Sequence, residues 1–272
     1  MTYEDPRAPL TLLKIGGEVL DQPALLDAAL QAFAALPGPK VLVHGGGKAG
    51  TRMAARLGVE TALVDGRRIT SPEMLEVAVM VYGGLMNKQV VAKLQALGVD
   101  AAGFTGADLD LVRAKRRPPG RVDYGLAGDV QAVRAEALAR LLQAGVTPVL
   151  APLTHDGQGQ LLNTNADTIA SEAACALAGT FAVRLVFSFE KAGVLLDVED
   201  PGSLIRHLDR ASFDALAHSG HIAGGMLPKL QNAFSALDRG VEAVYICRAD
   251  AVARLDGPAF DGTEIRTGAL PE

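Results

Sequence analysis

Short apolar runs rich in β-branched residues alternate along the chain with longer stretches whose apolar positions recur every three or four residues. The short runs, at 11–15, 40–44, 100–104, 147–151, 183–188 and 243–247, predict strands. The longer stretches, near 23–35, 47–57, 72–97, 134–144, 165–178, 210–219 and 226–239, predict helices. This alternation implies an α/β fold, with a mainly parallel open sheet and helices on both faces. Ligands of such sheets bind beyond the carboxyl ends of the strands.

The stretch 72–97 carries the strongest helical pattern. Thr70 and Glu73 have capping-box spacing, and Pro72 suits a first turn. Met74, Leu75, Ala78, Val81 and Leu85 then repeat at helical spacing, and Gly83-Gly84 should bend or thin the helix. So apolar a helix either packs inside the monomer or forms a dimer interface. Pro118-Pro119-Gly120 and the glycines around Tyr124 predict a loop or small hairpin over the sheet within 105–130. A turn cluster covers 152–164. A division into two parts, 1–179 and 180–272, is expected near Gly179, where the helix 165–178 ends.

Composition narrows the class. The chain has 272 residues, enough to bury a core without staples. A net charge of -5 gives no electrostatic reason for nucleic acid or an anionic membrane as partner. The basic stretch Arg113 to Arg117 reads as a solvated loop. Cys175 and Cys247 sit in apolar surroundings and read as buried free thiols, which suits a reducing cytoplasm. The acidic start Met1-Thr2-Tyr3-Glu4-Asp5 is unlike a signal peptide, and no apolar run is long enough to span a bilayer.

Two glycine turns, each closing a strand, carry the chemistry. The first is Lys14-Ile15-Gly16-Gly17 and the second His44-Gly45-Gly46-Gly47-Lys48. Glycine lets successive backbone N–H groups approach an anion, and Lys14 can reach a phosphate held by the same turn. Gly45 to Gly50 also satisfies G-x-G-x-x-G, with Asp65 where a dinucleotide fold places its ribose carboxylate. That reading leaves Lys14 and the later motifs unexplained. In Asn163-Thr164-Asn165-Ala166-Asp167 one residue is enough to cap the following helix, so the others suggest a site. Asp167 could hold catalytic lysines in place. Gly224-Gly225-Met226-Leu227-Pro228-Lys229 opens another helix, and Lys229 could face Lys14 across a polyphosphate. Two lysines and two N–H cradles suit phosphoryl transfer, which needs positioning and charge stabilisation more than covalent help. His44 is expected to shape its turn rather than react.

In this order and spacing the motifs resemble the amino acid kinase family over nearly the whole chain. Gly66-Arg67-Arg68-Ile69-Thr70 and Asn87-Lys88 complete the set. The resemblance implies a three-layer αβα sandwich, with an acyl amino acid bound by the N-terminal part and ATP by the C-terminal part. It implies transfer of the γ-phosphate of MgATP to the side-chain carboxylate of an N-acylated glutamate, a step of arginine biosynthesis. By motif position, Lys14 and Lys229 would stabilise the transition state and Asp167 would organise them. Gly46, Gly47, Arg68 and Asn163 would bind the acyl glutamate. Gly16, Gly17, Gly193 and Gly225 would line the nucleotide. Mg2+ would be held mainly by the phosphates and water, with no protein metal cluster.

Two departures from the family pattern stand out. Where members commonly carry a Ser/Thr-Asp pair, this chain reads Phe187-Ser188-Phe189-Glu190-Lys191-Ala192-Gly193. A subgroup that shares this form is similar to kinases acting on N-succinyl intermediates, which leaves the acyl group open between acetyl and succinyl. Arginine-inhibited members have an extra N-terminal helix and a glycine-rich C-terminal signature. Here about ten residues precede the first strand, and Gly262-Thr263-Glu264-Ile265 lacks that signature. The expectation is a homodimer through the helix 72–97, without arginine feedback. A kinase acting on a carrier-bound amino acid and a catalytically dead sensor are the alternatives on this fold.

Overall fold

The computed structural model describes residues 7–64, 67–189, 191–197, 199–222, 226–255 and 257–267. All six expected strands enter one sheet. From edge to edge the order is His207–Leu208, Gly262–Ile265, Ala243–Arg248, Phe181–Phe189, Ala8–Ile15, Lys40–His44, Thr147–Leu150 and Ala101–Phe104. Every neighbouring pair is parallel except Gly262–Ile265 against Ala243–Arg248. Ala8–Ile15 and Phe181–Phe189 lie side by side, so the parts on either side of Gly179 share one sheet.

Successive side chains of a strand point to opposite faces, and the core divides accordingly. Leu10, Leu12, Val41 and Val43 pack against the helices Ala135–Gln143, Ala166–Leu177 and Met226–Asp238. Leu13, Ile15 and Leu42 pack against Pro23–Ala35 and Asn87–Ala96. The result is the three-layer αβα sandwich. The alternation places Lys14 on the same side as Leu12, toward the N-terminus of Ala166–Leu177.

The structure departs from the sequence reading in four places. The edge strands His207–Leu208 and Gly262–Ile265 were not expected, because the first has two residues and the second carries a single large apolar residue, Ile265. Residues 105–130 supply the hairpin alternative, Val112–Arg116 antiparallel to Gly128–Val133, and 152–164 form more than a turn cluster. A second sheet runs in the order Leu161–Asn163, Leu153–His155, Val112–Arg116 and Gly128–Val133. The arginine-rich stretch is therefore a strand and its continuation, not a solvated loop. Val112 and Ala114 are buried, while Arg113 pairs with Asp110 and Arg117 with Asp129. Thirdly, the N-cap of Pro72–Ala78 is Ser71, not Thr70. Pro72 holds its predecessor extended, so Ser71 Oγ accepts from Met74 N at 3.1 Å. Gly83-Gly84 lies in a π-helical stretch, Val79–Met86, that joins Pro72–Ala78 to Asn87–Ala96. Fourthly, Cys247 is buried, but Cys175 is only half-buried.

Candidate active site

The two glycine turns touch. Gly45 N donates to Ile15 O at 3.0 Å. A Cβ on Gly17 would lie 2.5 Å from Gly47 Cα, so only glycine allows the contact. Gly47 itself has φ +56°, a conformation glycine adopts without strain. Asp21 fixes the second turn by accepting from Lys48 N at 2.7 Å, and it pairs with Arg52 at 3.1 Å. No sequence signal marked Asp21 for this task.

Gly46 and Gly50 both face Tyr82, on the π-helical stretch. A Cβ would come within 2.4 Å of the ring at Gly46 and 2.3 Å of the phenol oxygen at Gly50. The last glycine of the G-x-G-x-x-G match thus serves packing on an aromatic ring. Burial pushes the Tyr82 phenol up, against the opposing pull of Arg68. His44 has the expected structural role. It is fully buried, with Nδ1 2.9 Å from Gly45 O and Nε2 3.1 Å from Asn87 Nδ2. Burial lowers its pKa to about 4, so it is neutral at pH 7, and with Nδ1 protonated it donates to Gly45 and accepts from Asn87.

Each polar residue of the Asn163–Asp167 segment has a separate task. Asn165 Oδ1 caps the helix Ala166–Leu177, accepting from Asp167 N at 2.8 Å and Thr168 N at 3.2 Å. Asn163 Nδ2 donates to Thr70 Oγ1 at 3.0 Å, and the Thr164 and Thr154 hydroxyls share a 2.7 Å hydrogen bond. Backbone bonds from Asn163 N to Leu126 O and from Leu126 N to Thr70 O tie the second sheet to this wall. Asp167 Oδ1 lies 2.7 Å from Lys14 Nζ. The contact is an ion pair rather than an aligned hydrogen bond, because Oδ1 accepts none among the described residues.

Lys14 is nearly buried at the end of the central strand. It separates two adjoining cavities. One, of about 320 Å³, is lined by Lys14, Gly17, Gly46, Gly47, Arg68, Asn163 and Asp167, and also by Tyr82, Arg67, Arg117 and Asp129. The other, of about 590 Å³, is lined by Lys14, Gly16, Gly17, Gly47, Asp167, Gly193 and Lys229, together with Phe189 and Met226. Arg68 Nη2 donates to Thr51 Oγ1 at 2.8 Å, while Nη1 is buried without a hydrogen-bond partner among the described residues. A guanidinium left in this state suits a carboxylate ligand. Lys229 Nζ lies 3.8 Å from the centroid of the Phe189 ring, and Lys14 Nζ 5.2 Å. Burial lowers the Lys229 pKa; Asp167 and Glu18 raise it, and the Lys14 charge lowers it further.

Gly225, Asp65 and Glu190 lie outside the described residues. The other candidate residues meet at the two cavities. Sequence reasoning missed Tyr82, Arg67, Arg117 and Asp129 as cavity residues. Arg117 and Asp129 are twelve positions apart and meet only through the pairing of Val112–Arg116 with Gly128–Val133. Arg67 adjoins Arg68 in the recognised motif, which was the one available signal.

A family model described as "Amino acid kinase family" matches residues 9–248. The chain is 55% identical to the acetylglutamate kinase of Parabacteroides distasonis, over 89% of this chain and 95% of that one. It is 53% identical to the Bacteroides thetaiotaomicron acetylglutamate kinase, over 92% and 98%. The Methanopyrus kandleri acetylglutamate kinase is 39% identical over 91% and 96%. Among solved structures, N-acetylglutamate synthase from Neisseria gonorrhoeae, complexed with coenzyme A and N-acetyl-glutamate, superposes with a TM-score of 0.81 at 23% identity. That match covers 97% of this chain and 61% of the synthase chain. Carbamate kinase from Giardia lamblia bound to AMP-PNP gives 0.68 at 14% identity, over 96% and 99%. These two likenesses concern the fold alone. With a family model spanning most of its length and relatives above half identity, the chain belongs to the amino acid kinase family, in place of a dinucleotide-binding one.

Proposed function

We propose that this protein is an acetylglutamate kinase. It phosphorylates the side-chain carboxylate of N-acetyl-L-glutamate from MgATP, in arginine biosynthesis. The observation that carries this reading is Lys14 lining both cavities, the smaller one holding Arg68 with Nη1 unpartnered among the described residues and the larger one holding Lys229 beside Gly16, Gly17 and Gly193. The relatives named acetylglutamate kinase support it at 39–55% identity.

The acyl glutamate occupies the smaller cavity. Arg68 grips its α-carboxylate, and Asn163 with the Gly46 and Gly47 N–H groups orients the rest. ATP occupies the larger cavity along Gly16, Gly17 and Gly193, with Gly225 as a further nucleotide contact. A side-chain carboxylate oxygen attacks the γ-phosphorus, the bond to the bridging oxygen breaks, and ADP leaves. The carboxylate is already ionised at pH 7 and needs no general base. Lys14 and Lys229 neutralise charge on the transferring group, and Asp167 holds Lys14. The nucleotide phosphates and water would hold Mg2+, which would supply shielding of the phosphate charge. Residues 1–179 supply the acyl-amino-acid site, and 180–272 form the ATP site together with Gly16 and Gly17 of the first part. A homodimer through the helix 72–97 completes the reading. Met80 and Leu85 on that helix are 53% and 49% exposed in the single chain, and a second copy would cover them.

The test is hydroxamate trapping of acyl phosphate from MgATP with N-acetyl-L-glutamate, N-succinyl-L-glutamate and glutamate in parallel. Turnover of the acetyl substrate, and none of free glutamate, is expected. Preference for the succinyl substrate would move the acyl assignment, and silence on all three would remove the reading. Light scattering of wild type and of Met80→Glu/Leu85→Glu tests the dimer, which the double substitution should dissociate.

A further inference from the structure

We propose that Phe189 is a positioning residue whose ring docks the ammonium groups of Lys229 and Lys14, and so sets where they meet the phosphoryl group. The inference rests on the phosphoryl transfer proposed above. Both nitrogens, at 3.8 and 5.2 Å from the ring centroid, are inside the roughly 6 Å reach of a cation–π contact. Phe189 ends the strand Phe181–Phe189, on the face that Lys14 shares through its register with Phe187. The buried ring of Phe187 stacks on it, with centroids 6.2 Å apart and planes 14° from parallel. The two near-parallel rings lie side by side along one face of the strand.

The need for such a platform follows from charge. Two ammonium groups must sit close together before any phosphate arrives to separate them. Asp167 takes Lys14 at 2.7 Å, whereas Lys229 makes no ion pair among the described residues. A carboxylate at position 189 could hold Lys229, but it would compete with phosphate oxygens for the same N–H donors and repel the nucleotide. An aromatic face attracts the cation through its quadrupole and adds no net charge. Lys229 is then held in place and still able to donate to phosphate.

Kinetics of Phe189→Leu and Phe189→Tyr test this. Leucine keeps most of the apolar volume and removes the ring; tyrosine keeps the ring. Phe189→Leu should lower kcat about 3- to 30-fold with little change in KM for the acyl glutamate, and Phe189→Tyr should stay within about twofold of wild type. Wild-type turnover in Phe189→Leu, or an equal loss in both variants, would overturn the proposal. Should Phe189→Leu fail to fold, 3,4,5-trifluorophenylalanine at 189 keeps the shape and weakens the quadrupole; an unchanged kcat there also overturns it. A second readout is independent of the reaction. The Lys229 ε-methylene protons should resonate upfield in the wild-type NMR spectrum, from the ring current, and lose that shift in Phe189→Leu. An inactive wild type with this shift present would defeat the proposed function but not the docking. No shift in the wild type would defeat the docking.

Discussion

Two adjacent glycines should respond in opposite ways to the same added methyl group. At Gly17 a Cβ would lie 2.5 Å from Gly47 Cα and 2.7 Å from Gly47 N. Non-bonded carbons settle at about 3.5–4.0 Å, so the two turns must separate by roughly 1 Å. Both obstacles are backbone, and no side chain can rotate away. At Gly16 the nearest atoms are Ser188 O at 3.6 Å and Lys14 Nζ at 3.9 Å, which is ordinary contact. Its φ of -71° and ψ of 162° suit any residue. Overpacking of the Gly17 kind costs about 1–3 kcal/mol, which in a chain of this size lowers Tm by about 2–12 °C. The displacement also moves one phosphate cradle relative to the other, and a 1 Å misplacement costs about 100-fold in rate. Gly17→Ala should therefore melt earlier and lose about two orders of magnitude in kcat, while Gly16→Ala should melt within about 1 °C of wild type. Calorimetry and the hydroxamate assay measure both. Wild-type melting and turnover in Gly17→Ala would refute the apposition of the turns as the basis of the site.

Lys14→Ala should reduce kcat about 100- to 1000-fold with smaller effects on KM, and near-normal turnover would remove its assigned role. Arg68→Lys should raise KM for the acyl glutamate about 10- to 100-fold by losing the planar fork, and a defect confined to kcat would argue against carboxylate binding. His44 makes stability depend on pH. Its folded pKa of about 4 lies below the unfolded 6.5, so its neutral form contributes fully above pH 6.5 and the contribution is lost as pH falls toward 4. Urea titrations at pH 7 and pH 5 should show a loss of about 2 kcal/mol from this residue, absent in His44→Gln. An equal pH dependence in both proteins would contradict the burial argument.

Local pattern sufficed wherever an element was long enough to repeat. The six central strands and the main helices were legible because burial concentrates apolar residues in the short runs and imposes a helical period on the longer ones. Lys14, Gly16-Gly17, Gly46-Gly47, Arg68, Asn163, Asp167 and Lys229 were legible as motifs, since each cluster lies within a few residues. The second sheet was not. Its strands are three to six residues long, and their partners lie across turns, so the arginines of 113–117 looked solvated. The capping residue was missed by one position, because the effect of Pro72 on Ser71 is stronger than the spacing of Thr70 and Glu73.

By itself, the amino-acid sequence determined the layers of this protein, the ends of strands at which chemistry collects, and the residue types offered there. Those are consequences of period and of near-neighbour chemistry, which a linear chain carries openly. The tertiary structure alone decided that Gly17 meets Gly47, that Tyr82 fills the space left by Gly46 and Gly50, and that Arg117 pairs with Asp129. It also decided that Lys14 and Lys229, 215 positions apart, share the ring of Phe189. Each is a contact between segments distant in sequence, and its distance is set by how strands register and helices pack rather than by any spacing along the chain.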